Sequence, residues 1–153
     1  MLNQINAHHQ LLTPPRQIIQ FRMAVEPYAA AMASRLRSDD DLECLKKTAY
    51  RMRYALDDGQ LIDAAQEDFN FHHIIFSMLQ NPVFTNAIRP IAADIHSAQC
   101  TPLRNKEELM KPLEEHQRII GAIRDQDPER ASEAMAYHIR AAAIRAGLSN
   151  EDI

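Results

Sequence analysis

The sequence predicts an all-α protein, an antiparallel bundle of six to seven helices, and three observations carry that prediction. Alanine, leucine, glutamate, arginine and methionine, all strong helix formers, dominate the composition. Only three glycines occur in 153 residues, which argues against a turn-rich β fold. Apolar residues recur at spacings of three and four between helix punctuation marks, and no stretch alternates with the period of a strand. The length suits one domain, and a hydrophobic content of 46% is enough for a sizeable core.

The elements follow in order. After "TPP", the stretch "RQIIQFRMAVEPYAAAMASRLR" reads as a first helix with Pro27 inside it. An interior proline removes one backbone hydrogen bond, which predicts a kink between Met23 and Pro27. "SDDDL" supplies N-cap candidates and early acidic residues for a second helix that stops near Gly59. The third is "LIDAAQEDFNFHHIIFSMLQ", closed by Asn81-Pro82, a pair that also opens the fourth. That fourth segment, "PVFTNAIRPIAADIHSA", carries Pro90 and is predicted to bend there; "QCTPLRN" is a loop. Asn105 and Glu108 have capping-box spacing for a fifth helix, while Pro112 offers a later start. In "DQDPER", Asp127 caps and Pro128 occupies the first turn of the last helix, which runs to about Ala146 and ends at Gly147. Residues 16–148 form the expected domain, between a residual linker or tail at 1–15 and a tail at 149–153.

Charge and cysteine usage exclude several classes. The net charge is −4 and the basic residues are dispersed, so DNA binding by this chain alone is not expected. Cys44 and Cys100 have no motif spacing and read as free thiols in a reducing compartment. No apolar run approaches the ~20 residues needed to cross a membrane, and the N-terminus lacks a signal-peptide pattern. The expectation is a soluble, cytoplasmic protein with no membrane partner.

Four polar residues fall on apolar faces. Asp68 and His72 are four apart, on the face that carries Ile75 and Leu79. His116 shares a stripe with Leu113, Ile120 and Ile123, and His138 with Ala131, Met135 and Ala142. Burying ionisable groups without partners is costly, so the structure must satisfy them. Two arrangements do so: hydrogen bonds within the core, or a divalent metal held by neutral imidazole nitrogens and a carboxylate oxygen. Four protein ligands leave one or two positions open for water or an oxygen-rich ligand. His73 points about 100° away around the helix, toward the surface or a second layer.

The stretches "FRMAVEPYAAAMA", "DFNFHHIIFSMLQNP" and "EEHQRIIGAIRDQDPERASEAMAYHI" together resemble the FCD domain, the ligand-binding C-terminal domain of FadR-type regulators in the GntR family. The likeness runs from about Arg16 to Gly147. Its most specific part is the ordered set of an aspartate, a histidine four later, the histidine of "EH" and the histidine of "AYHI". The resemblance implies a helical bundle with a central effector cavity. It also implies a divalent metal on Asp68, His72, His116 and His138, whose coordination a small carboxylate metabolite completes. The donor set suits zinc first, with nickel, iron or manganese also open. Arg22 matches an arginine that commonly faces the family's cavity, where a guanidinium fork suits a carboxylate; a surface salt bridge with Glu26, one turn on, is the other reading. Asn81 needs no role beyond capping. The resemblance further implies a homodimer that meets DNA only through a winged helix-turn-helix absent from this sequence, whose first residues read as linker.

The function expected is therefore an effector-sensing and dimerisation domain of a transcriptional regulator, not an enzyme. A metal-dependent enzyme acting on a small organic acid is the competing reading, since an open coordination position permits it. Against it, no carboxylate is evidently placed as a general base: Asp68 is itself a ligand, and Glu114 and Glu115 project to other faces of their helix. A structural bundle with hydrogen-bonded histidines is the third.

Overall fold

The computed structural model describes residues 13–99 and 108–153. Seven α-helices occur among them, and no strand. They are α1 (Pro15–Leu36), α2 (Asp39–Asp57), α3 (Leu61–Met78), α4 (Pro82–Ile88), α5 (Ala92–Gln99), α6 (Lys111–Arg124) and α7 (Pro128–Arg145). Gln99, expected in the loop "QCTPLRN", instead ends α5, while the rest of that loop, with Cys100 and Asn105, lies outside the described residues, as does the tail before Thr13; Cys44 is a free, exposed thiol.

Local chemistry sets the boundaries. α1 starts on a proline and continues without a break through Pro27, so the residue expected to kink it does not interrupt the helix. α2 begins with a full capping box: the Ser38 hydroxyl accepts from the Asp41 amide, and the Asp41 carboxylate accepts from the Ser38 amide. The Asn81 side chain accepts from the Val83 amide to open α4, and that of Asp127 accepts from the Arg130 amide to open α7. Pro90 does more than bend its segment. A 3-10 turn at Arg89–Ile91 separates α4 from α5. α6 takes the later of the two possible starts, with Pro112 in its first turn, where the missing N–H has no helical partner to lose. Gln80 and Gln126 adopt positive φ, 50° and 52°, just beyond α3 and α6.

Three-residue turns join α2 to α3 and α6 to α7, and both pairs pack side by side as helical hairpins. α1 lies along α7 and also touches α3 and α6. Its buried stripe runs through Ile18, Ile19, Ala29, Ala30 and Ala33, interrupted by two buried charges, Arg22 and Glu26. The main core adds Leu42 and Leu45 from α2, Phe71 and Ile75 from α3, Ile119 and Ile123 from α6, and Met135 and Ile139 from α7. A smaller cluster of Met52, Ala55, Leu56, Ala64 and Ala65 closes the α2–α3 end. Four helices, α1, α3, α6 and α7, thus surround one point in the interior, and all four send charged or polar side chains to it.

The capping box is exposed and isolated from that point, so it tests the local account alone. Ser38→Ala is expected to lower stability by about 1 kcal/mol, or roughly 2–4 °C in melting temperature. Thermal unfolding followed by circular dichroism measures this; an unchanged midpoint would mean that packing alone fixes the start of α2.

Candidate metal centre

Helical spacing explains how each side chain arrives. Asp68 and His72 lie one turn apart on α3, on the face buried with Phe71 and Ile75. His116 lies among Leu113, Ile119 and Ile120 on α6, and His138 between Met135 and Ile139 on α7. All four are buried, and each contributes one ligand atom to a group whose members lie within 4.8 Å of one another. Asp68 Oδ1 stands 3.0 Å from His116 Nε2, and His72 Nε2 stands 3.1 Å from His138 Nε2. Phe71 stacks on the His116 ring at a centroid distance of 3.9 Å and fixes its plane. His73 is exposed, on the opposite side of α3.

Carboxylates that the sequence reading set aside surround these ligands. Glu26, on α1, puts Oε2 2.5 Å from His72 Nδ1 and receives the Arg22 guanidinium, with Nε donating to Oε1 at 2.6 Å. The Arg22–Glu26 pair, the alternative reading of Arg22, therefore exists, but inside the core rather than on the surface. Arg22 also brings Nη2 to 3.2 Å from His72 Nε2, which places it at the wall of the centre. Glu115 does not project away from the site. It is buried, and its Oε2 lies 2.8 Å from His138 Nδ1. One position from His116 is a rotation of about 100°, and that rotation aims Glu115 into the α6–α7 interface rather than at solvent. Arg145, in the last turn of α7, donates to both Glu115 oxygens at 2.7 and 2.8 Å. The i,i+4 spacing of Arg22 and Glu26 was a signal for one of these pairs; the sequence held none for Arg145.

The electrostatics follow from burial and partners. Burial pushes the Asp68 carboxyl up, but the nearby imidazole of His116, with those of His72 and His138, outweighs it and holds the group well below the usual carboxylate range. For Glu26, burial is likewise outweighed, by Arg22 and His72, which bring it to about 2. Glu115 is also lowered, burial being overcome by His138 and Arg145. Burial dominates at His116 and His138 and lowers both, His138 to about 4. At neutral pH the carboxylates are thus ionised and these two imidazoles neutral. Leaving His72 aside, three carboxylates face two guanidiniums, one negative charge in excess.

A divalent metal fits this arrangement. His116, His138 and Asp68 offer imidazole nitrogens and a carboxylate oxygen in the protonation states that ligation requires. Neither nitrogen of fully buried His116 has an aligned hydrogen-bond partner, because Asp68 Oδ1 is close to Nε2 but off the axis of a ring N–H. A buried polar atom without a partner is costly. Glu115 and Glu26 lie beside the Nδ1 atoms of His138 and His72.

The shifts dictate a pH response in chelator-treated protein. The unfolded chain takes up a proton on His138 near pH 6.5, the folded chain only near 4. Between those values unfolding binds protons, so stability falls as pH falls, by roughly 3 kcal/mol for this ring. The lowered carboxylates add a further loss below their ordinary value of ~4. Urea unfolding from pH 7 to 4 is expected to show a falling midpoint, with a shallower slope in His138→Gln. Equal slopes would mean that this ring does not report the burial described.

Comparison with known proteins agrees with the geometry. The FCD domain family matches residues 17–141. A curated relative, the HTH-type transcriptional regulator LutR of Bacillus subtilis (strain 168), is 24% identical over 129 residues, covering 81% of this chain and 58% of its own length. A solved structure, Streptococcus agalactiae GntR, superposes with a TM-score of 0.71 at 25% identity, over 86% of this chain and 57% of that one. The chain therefore spans little more than half the length of these relatives. With the family match extending from α1 into α7, this chain belongs to the FCD domain family found in GntR-type transcriptional regulators.

Proposed function

We propose that this chain senses a small carboxylate metabolite through a divalent metal held by Asp68, His72, His116 and His138, and passes the signal to DNA-binding domains in a homodimeric regulator. The observation that carries this reading is the buried convergence of those four ligand atoms, His116 having no aligned partner of its own. Bound there, a divalent ion supplies a Lewis-acidic anchor for an anionic oxygen ligand.

Charge balance supports a carboxylate effector. A divalent ion turns the single excess negative charge into a single positive one, which one carboxylate neutralises inside a low-dielectric interior. Arg22, at the wall of the centre with Nε and Nη2 already facing Glu26, is the side chain proposed to meet that carboxylate with its remaining donors. Zinc is the metal proposed first, since nitrogen donors and one carboxylate suit it; nickel, iron and manganese follow. Because the ligands come from α3, α6 and α7, a bound ion and effector favour one packing of these helices over others by their differential affinity. In the regulator proposed, that shift reaches operator DNA through a winged helix-turn-helix domain, as the name of the LutR relative suggests. No helix among the described residues is long and apolar enough to cross a membrane, which suits a cytoplasmic regulator.

The enzyme reading gains two carboxylates beside the centre, Glu26 and Glu115, where none was expected. Each is already bonded to an arginine and faces a histidine Nδ1. Neither is free to accept a proton from a substrate, and sensing remains the better reading.

Metal titration tests the proposal. Zinc, nickel or manganese at a hundredfold excess over its dissociation constant is expected to stabilise the protein by about 2.7 kcal/mol. That corresponds to a melting-temperature rise of roughly 5–10 °C, much reduced in Asp68→Ala and His116→Ala. Small organic acids are then expected to raise it further only in metal-loaded protein, and less in Arg22→Ala. Absence of any metal-dependent shift would overturn the proposal, and product release from the same acids would favour the enzyme.

A further inference from the structure

One pattern is built into the centre twice: an arginine holds a glutamate, and the glutamate faces a histidine ligand. Arg22 and Glu26 share α1 and face His72 of α3. Arg145 and His138 share α7, seven residues apart and so on one side of that helix, and both grip Glu115 of α6. The second set is the more regular. Its three contacts all lie between 2.7 and 2.8 Å, whereas Glu26 is close to His72 Nδ1 but off its N–H axis.

We propose that Glu115 is a positioning residue for the metal centre, fixing the tautomer and ring direction of His138, and that Arg145 locks Glu115 in that role, tying the last turn of α7 to the ligand set. This rests on the metal reading above.

Donors and acceptors fix the direction of each bond. Arg145 donates to both Glu115 oxygens, which keeps the carboxylate ionised and therefore purely an acceptor. A ring nitrogen 2.8 Å from such an oxygen must carry the hydrogen, so His138 is protonated at Nδ1. Its Nε2 then presents a lone pair toward His72 Nε2, 3.1 Å away, on the side where the other ligands converge. An Arg–Glu pair buried for stability alone gains little over apolar packing. Here the carboxylate has a third partner, and that partner is a ligand. Glu115 also precedes His116, so a single turn of α6 contributes one ligand and orients another across the helix interface.

The experiment uses the whole chain with zinc as the probe and manganese in parallel, affinity being read by competition with a chromogenic chelator. Glu115→Gln presents an amide N–H either to Arg145, which has no acceptor for it, or to His138, where it reverses the tautomer. Its zinc affinity is expected to fall 10–100-fold, with helicity by circular dichroism retained. Arg145→Lys, which has no planar fork for both oxygens, is expected to fall less, and Glu114→Gln, an exposed neighbour, not at all. Long-range proton–nitrogen NMR of zinc-free wild type should show His138 protonated at Nδ1, a signature that a merely structural salt bridge would not dictate. If Glu115→Gln does not fold, Glu115→Asp is read in its place. A folded variant with zinc affinity within twofold of wild type, or a wild-type His138 protonated at Nε2, overturns this inference and leaves the metal reading standing. Wild type that binds neither ion overturns both.

Discussion

Burial of ionisable groups where α1, α3, α6 and α7 meet is the constraint on which this structure depends. A bundle of this size ordinarily fills such a point with leucine and isoleucine. Here it holds one aspartate, two glutamates, two arginines and three histidines, nearly all withdrawn from water. Each must find a partner, because an unpaired charge in that environment costs several kcal/mol. The arginines answer two glutamates, and the glutamates face two histidine Nδ1 atoms. What remains is Asp68, His116 and the inward nitrogens of His72 and His138, whose ligand atoms lie within 4.8 Å of one another. That crowding leads from the fold to its proposed chemistry.

In the sensor proposed, the same constraint combines closely packed surroundings with a centre assembled from several helices. The ligands lie on long helices whose other buried positions are close-packed apolar residues such as Ile75, Ile119 and Ile139. Packing of that density leaves little freedom in the ligand directions. The ligands nonetheless span three helices, with α1 contributing Arg22 from a fourth. Any anion that engages both the metal and Arg22 therefore bears on the relative placement of four elements at once. Coupling of that kind is the least a sensing domain requires.

How much of this was legible in the sequence differs by residue. That Asp68, His72, His116 and His138 face the interior was readable because each broke an apolar stripe of known period, and a helix converts spacing directly into direction; their grouping as one ligand set came from the family resemblance. Helix starts at Ser38, Asn81 and Asp127 were readable because capping is local chemistry. The ends of α3 and α6 were not marked by glycine; Gln80 and Gln126 take the positive φ instead, so only the next cap betrayed them. Glu115 was hidden by its own rotation, since a residue about 100° from a core position is exposed on a lone helix and buried only when another helix arrives there. Arg145 lies two turns beyond His138, and its partner is on another helix. Such pairings belong to tertiary packing, which no local pattern specifies.

X-ray absorption at the K-edge of the bound metal, recorded on loaded protein, tests the central claim most directly. The account predicts a first shell of three imidazole nitrogens with oxygen and no sulfur, the multiple-scattering signal of one ring disappearing in His116→Ala. A shell of oxygen alone, or one that keeps all its imidazole signal in that variant, would contradict it.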